Sequence, residues 1–100
     1  MSFDNWVFKC KKNENISDKG IVVIDFDGNR AVHQWFVDNV QDGDDDCGYY
    51  PIDRDIISDI CDEIYLTKDE EAKQVYENLV GLSNLMCIST QHKYYYSSSW

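Results

Sequence analysis

The feature that most narrows the fold is a change of hydrophobic period at Asp27-Gly28. Before it, Gly20–Phe26 (GIVVIDF) is a β-branched apolar run, the pattern of a largely buried strand. Asp-Gly is a turn signal that ends such a run. After it, Val32, Trp35, Phe36 and Val40 recur at three- and four-residue spacing, the stripe of a helix packed on a sheet. Asn29 stands at the cap position, where a short polar side chain accepts from a first-turn amide. A strand that hands over to a helix so abruptly calls for helices lying on a sheet.

The rest of the chain extends that pattern. Asn5–Lys11 (NWVFKCK) alternates apolar and other residues and reads as a strand, able to form a hairpin with Gly20–Phe26 across the polar turn Asn13–Gly20. The first helix is expected to run to about Gln41, with Gly43 permitting its end and Asp42–Tyr50 forming an exposed loop. Asp53 begins a second helix, with Ile52 and Ile57 placed as a hydrophobic staple. Ile56, Ile57, Ile60, Cys61 and Ile64 form its apolar face, leaving Asp55, Asp59, Asp62 and Glu63 wet. Thr67-Lys68-Asp69-Glu70 is a capping box. It opens a third helix that turns Ala72, Val75, Tyr76 and Leu79 inward and ends near Gly81. Leu85–Thr90 and Lys93–Tyr96 read as short strands. The expectation is a single α+β domain over residues 1–100, a small antiparallel sheet packed against about three helices.

Charge decides which partners suit such a domain. Nineteen Asp and Glu against nine Lys and Arg give a formal net charge of −10. Between Asp38 and Glu71 the acids meet only Arg54 and Lys68. A field of that sign repels nucleic-acid phosphates and anionic membranes and draws in basic protein surfaces. Direct nucleic-acid and membrane binding are therefore not expected. Hydrophobic residues at 43% make the chain too apolar for a disordered acidic tail. The start has no basic segment followed by a long apolar run, so a cytoplasmic location is expected, with Cys10, Cys47, Cys61 and Cys87 as reduced thiols.

Catalytic and metal chemistry find little footing. His33, Cys47, Cys61, Cys87 and His92 are all zinc-ligand types, but none falls in a CxxC or HxxxH spacing. His33 reads as a polar residue at the helix–sheet rim, hydrogen-bonded to the following loop, and Cys61 as core. Asp42-Gly43-Asp44-Asp45-Asp46 is rich in hard oxygen donors yet lacks the alternating spacing and terminal glutamate of a calcium loop. Asp25 and Asp27 at a strand end suit carboxylate–metal chemistry or, more simply, a capped turn. Patterns such as GxSxG, HExxH and glycine-rich phosphate loops are absent, and no cofactor is called for. The favoured constellation is an acidic binding face. It combines Asp42, Asp44, Asp45 and Asp46 from the loop with Asp55, Asp59, Asp62 and Glu63 from the second helix, and Tyr49 and Tyr50 between them. Asp53 lies at the start of the same helix. Carboxylates interleaved with tyrosines suit a basic protein groove, because tyrosine adds rigid contact area at low entropic cost.

The segment Asn29–Tyr50, NRAVHQWFVDNVQDGDDDCGYY, resembles a widespread family of small phage accessory proteins. Their segment is close to KAN-x-IH-x-WFVENVQNGVDDC-x-x-Y. Val32, His33, Trp35, Phe36, Val37, Asn39, Val40, Gln41, Gly43, Asp45, Asp46, Cys47 and Tyr50 match it, and Leu82–Trp100 departs from the family's usual ending. The resemblance implies a phage accessory gene product acting in the host cytoplasm and brings no catalytic activity with it. The combined expectation is a phage-encoded, non-enzymatic module that inhibits a host protein by electrostatic mimicry or occlusion, with defence and nucleic-acid-handling proteins as the candidate partners. The alternatives are an immunity protein or antitoxin for a basic nuclease toxin, and a small metal-dependent enzyme using His33 and nearby acids.

Overall fold

The computed structural model describes residues 3–44, 46–65, 70–88 and 91–99. The strand pattern at the start becomes β1 (Asp4–Lys11), followed by a one-turn helix α1 (Ile16–Lys19) inside the polar turn and then β2 (Ile21–Asp25). β1 and β2 pair antiparallel, as the sequence implies. The register slips between Val7 and Phe8, where Val23 is extra, and such a bulge twists an edge strand away from chance partners. Asp27 and Gly28 both take positive φ, 53° and 73°. Asp25 Oδ1 accepts from the Asp27 amide, which makes this carboxylate the turn's cap. Gly28 is required twice over, since a Cβ there would also collide with the backbone oxygen of Phe3.

α2 (Arg30–Asn39) starts where Asn29 Oδ1 accepts from the Val32 amide at 3.0 Å. It ends at Asn39 with Val40 as its cap, two residues short of the expected boundary, and Asp42 and Gly43, both at positive φ, carry the chain out. A three-residue strand β3 (Tyr50–Ile52) then closes one edge of the sheet, at the end of what reads as loop in the sequence. Pro51 is tolerated there because an edge strand need not donate on its outer side. Asp53 caps α3 (Arg54–Tyr65) through the Ile56 amide, and the staple residues Ile52 and Ile57 are both buried. The Thr67 capping box lies outside the described residues.

α4 (Glu70–Ile88) corrects two readings. Gly81 does not end it, and Leu85–Ile88 is its last turn rather than a strand. Val75, Leu79, Leu82 and Met86 all enter the core, at spacings of four, three and four, so burial of one continuous stripe outweighs the cost of a mid-helix glycine, about 1 kcal/mol. A Cβ at Gly81 would meet nothing within 4 Å, so the glycine serves no packing need. β4 (His92–Ser99) is longer than expected and pairs with β1 along its whole length. The result is a four-stranded antiparallel sheet of order β2-β1-β4-β3, the α+β arrangement anticipated from the sequence.

All the longer helices use one face of this sheet. Val7, Ile24, Ile52, Tyr94 and Tyr96 meet Val32 and Phe36 of α2, Ile57 and Ile60 of α3, and the α4 stripe in a single core. At its centre Phe36 and Tyr96, both 0% exposed, stack with ring centroids 3.9 Å apart and planes 8° from parallel.

Candidate protein-binding surface

Alternation along a strand sends neighbouring side chains to opposite faces. Because Val7, Tyr96 and Ile52 point into the helices, Trp6 and Phe8 of β1, Tyr95 of β4 and Pro51 of β3 point the other way, and none of these four belongs to the core cluster. Phe8 lies directly opposite Tyr95, and Tyr95 opposite Pro51. Trp6 and Phe8 rings are 5.8 Å apart, and Tyr49, two residues before Pro51, sets its edge against Phe8 at 5.7 Å. Val22 of β2, 47% exposed, pairs with Phe8 from the other side. An aromatic row thus crosses the sheet on the side the longer helices leave open. At one end the turn bearing Glu14 covers it and buries Cys10, whose thiol donates to the Glu14 carbonyl.

The row runs into the acidic loop, which is held in shape from below. Gln41, only 3% exposed, donates through Nε2 to the Asp44 carbonyl, and the Gly43 amide returns to Val37. Asp46 accepts from the Gly48 amide at 3.1 Å and from the Tyr50 hydroxyl at 2.5 Å. The Tyr50 hydroxyl, then the Gly48 amide, favour the ionised form and hold the Asp46 carboxyl below its ordinary value. Asp42 and Asp44 are exposed beside it. Asp45 lies outside the described residues.

The expected site residues therefore fall into two groups. The loop acids Asp42, Asp44 and Asp46 form one unit with Tyr49 and Tyr50: Tyr50 serves the loop, and Tyr49, 42% exposed, serves the open face. Asp55, Asp59, Asp62 and Glu63 are exposed on α3, in the helical layer on the other side of the sheet. Among the described residues no Lys or Arg lies within 4.0 Å of a carboxylate as an ion pair, so neither group is neutralised by the chain's own cations. Trp6, Phe8 and Tyr95 were not singled out by sequence reasoning. Their signal was strand alternation, which shows that two faces differ but not which one the helices cover.

His33 corrects another reading. It lies deeper than a rim residue. It is 6% exposed, its Nδ1 lies 2.7 Å from the Tyr96 hydroxyl, and Phe3 meets its ring edge-on at 5.0 Å. Among the described residues no three His, Cys, Asp or Glu side chains converge as a metal ion would need. Cys10, Cys47, Cys61 and Cys87 are free thiols. Burial, and to a lesser degree the charge of Asp62, pushes the Cys61 thiol up, away from the reactive thiolate. Among the described residues no helix is long and apolar enough to cross a membrane. Comparison with protein-family models, curated proteins and solved structures gave no match.

Proposed function

We propose that this chain is an acidic protein-binding module, phage-encoded as its central segment suggests, that inhibits a basic host protein by covering the surface with which it handles nucleic acid. The observation that carries the reading is the open sheet face, whose aromatic row ends through Tyr49 at an ordered acidic loop. Aromatic rings are the residues that most often dominate protein interfaces, because each removes a large rigid surface from water. The unpaired loop carboxylates supply the charge that would match lysines and arginines evolved to meet phosphate. The acids on α3 lie in the other layer, so their part is the long-range field that speeds encounter.

The test is capture of a partner from host extract on the immobilised full chain, in low salt and in high salt, followed by reconstitution from purified components. The expected result is a 1:1 complex with a basic protein that weakens as salt rises. Tyr49→Ala should weaken the reconstituted complex by about 1–2 kcal/mol, roughly 5- to 30-fold, mainly by faster dissociation. Asp55→Lys with Asp59→Lys should mainly slow association. A partner with no basic surface, or a complex that neither salt nor Tyr49→Ala weakens, rules the reading out.

A further inference from the structure

We propose that the notch at the junction of β3, α3 and β4 binds a small phosphate-bearing molecule, of the size of a mononucleotide. The notch exists because the edge strand is short. β3 stops at Ile52, opposite Tyr94, and the chain turns away at Asp53 into α3. β4 continues past that point to Lys93 and His92, still paired with β1 on its other side. What remains beside β4 is a cavity of about 330 Å3. That lies at the lower end of the range for small-molecule sites and is more than a lone inorganic ion fills.

Its walls carry the opposite sign to the rest of the molecule. Lys12 from the turn after β1, Arg54 from the first turn of α3, and His92 and Lys93 from β4 all line it. The backbone bond from the Lys12 amide to the Gln91 carbonyl, 3.0 Å, ties the first and last of these segments together. No carboxylate pairs with Lys12, Arg54 or Lys93 among the described residues. With nineteen acids for nine bases, charge pairing alone would draw carboxylates to these cations. Instead three cations from distant parts of the sequence line one cavity without an ion pair among the described residues. Asp53, the one acid on its wall among the described residues, has its Oδ1 engaged by the Ile56 amide at 2.9 Å. Lys93 reaches along the wall, its Nζ 5.9 Å from the centre of the Tyr95 ring.

This donor set fits phosphate better than a single carboxylate. A guanidinium fork and two ammonium groups can share the several oxygens of a phosphate dianion. Pro51, Met86 and Tyr95 give the same cavity an apolar flank against which the group carrying the phosphate can lie. Pro51 and Tyr95 apart, the residues involved differ from those of the proposed protein-binding surface, and Lys12, Arg54 and Lys93 belong to the notch alone, so the two readings stand or fall separately.

The test is a titration of the full chain, followed by amide chemical shifts at constant ionic strength, with inorganic phosphate and adenosine monophosphate as the probes. The expected result is saturable binding of both, with shifts centred on Lys12, Arg54 and Lys93. The nucleotide should bind about tenfold tighter if the apolar flank is used. Equal affinities would assign recognition to the phosphate alone and still support the site. Arg54→Ala and, separately, Lys12→Ala should each weaken phosphate binding by about tenfold or more. Both residues are exposed, so neither substitution should disturb folding, and Lys73→Ala on α4 serves as the control for net charge. Non-saturating shifts, or an equal loss in the Lys73→Ala protein, would overturn the proposal.

Discussion

Replacing Tyr96 by phenylalanine removes one oxygen atom from the centre of the molecule and leaves the ring. Stacking on Phe36 at 3.9 Å should persist, as should the tilted contact with Phe26 at 6.2 Å. What disappears is the 2.7 Å bond to His33 Nδ1, at a site where the histidine is 6% exposed and the tyrosine 0%. A net hydrogen bond contributes about 0.5–1.5 kcal/mol, and stripping a buried polar atom of a partner costs about 1–3 kcal/mol. A destabilisation near 1.5 kcal/mol is therefore expected, which for a domain of this length lowers the thermal midpoint by roughly 6–12 °C. Tyr96→Ala would add a large cavity and cost about 3–5 kcal/mol, and so would test packing rather than the bond. Urea unfolding of Tyr96→Phe, His33→Leu and the double variant isolates the pair, because coupled residues depart from additivity by about 0.5–3 kcal/mol. An unchanged midpoint for Tyr96→Phe, or strict additivity in the cycle, would refute the bond.

Other consequences follow from single residues. Gly81→Ala should stabilise the protein by about 0.5–1 kcal/mol in the same unfolding assay, since the helix gains propensity and the added methyl meets nothing. Gly28→Ala should destabilise by more than that, because its φ of 73° and the Phe3 carbonyl both oppose a side chain. Asp46 titrates below its ordinary 3.8, chiefly through Tyr50, so its contribution to loop order is present at neutral pH and lost as pH falls through the lowered value. An NMR titration should show the Asp46 value rising in Tyr50→Phe, and no change there would remove Tyr50 as the cause. Iodoacetamide should label exposed Cys87 well before Cys61, whose thiol burial holds protonated, and peptide mapping with time reads the order directly.

Much of the fold was legible because its signals are local. The Asp27-Gly28 turn, the Asn29 and Asp53 caps, the β1–β2 hairpin and the isoleucine face of α3 each depend on residues close in sequence, and each stands where the pattern put it. α4 was misjudged where Gly81 was given more weight than the stripe running through it to Met86. β3 was missed because three residues containing a proline carry almost no strand signal, and it exists only because Tyr94–Tyr96 of β4 offer it a ladder. Asn5 gave no sign of its role either. It is 0% exposed and bridges β1 to the start of α2 by donating to the Asn29 carbonyl at 3.1 Å.

By itself the sequence determined the sign of the surface, the helix starts and the presence of a sheet, because charge, capping and period are properties of neighbouring residues. Only the tertiary structure decided which side of that sheet the longer helices leave open, and so which aromatics lie on it. It also decided that the lysine of the first turn, the arginine of α3 and the end of β4 share one notch. Both outcomes depend on strand order and on where a short edge strand stops. Those are set by pairing between residues far apart in the chain, which no local pattern records.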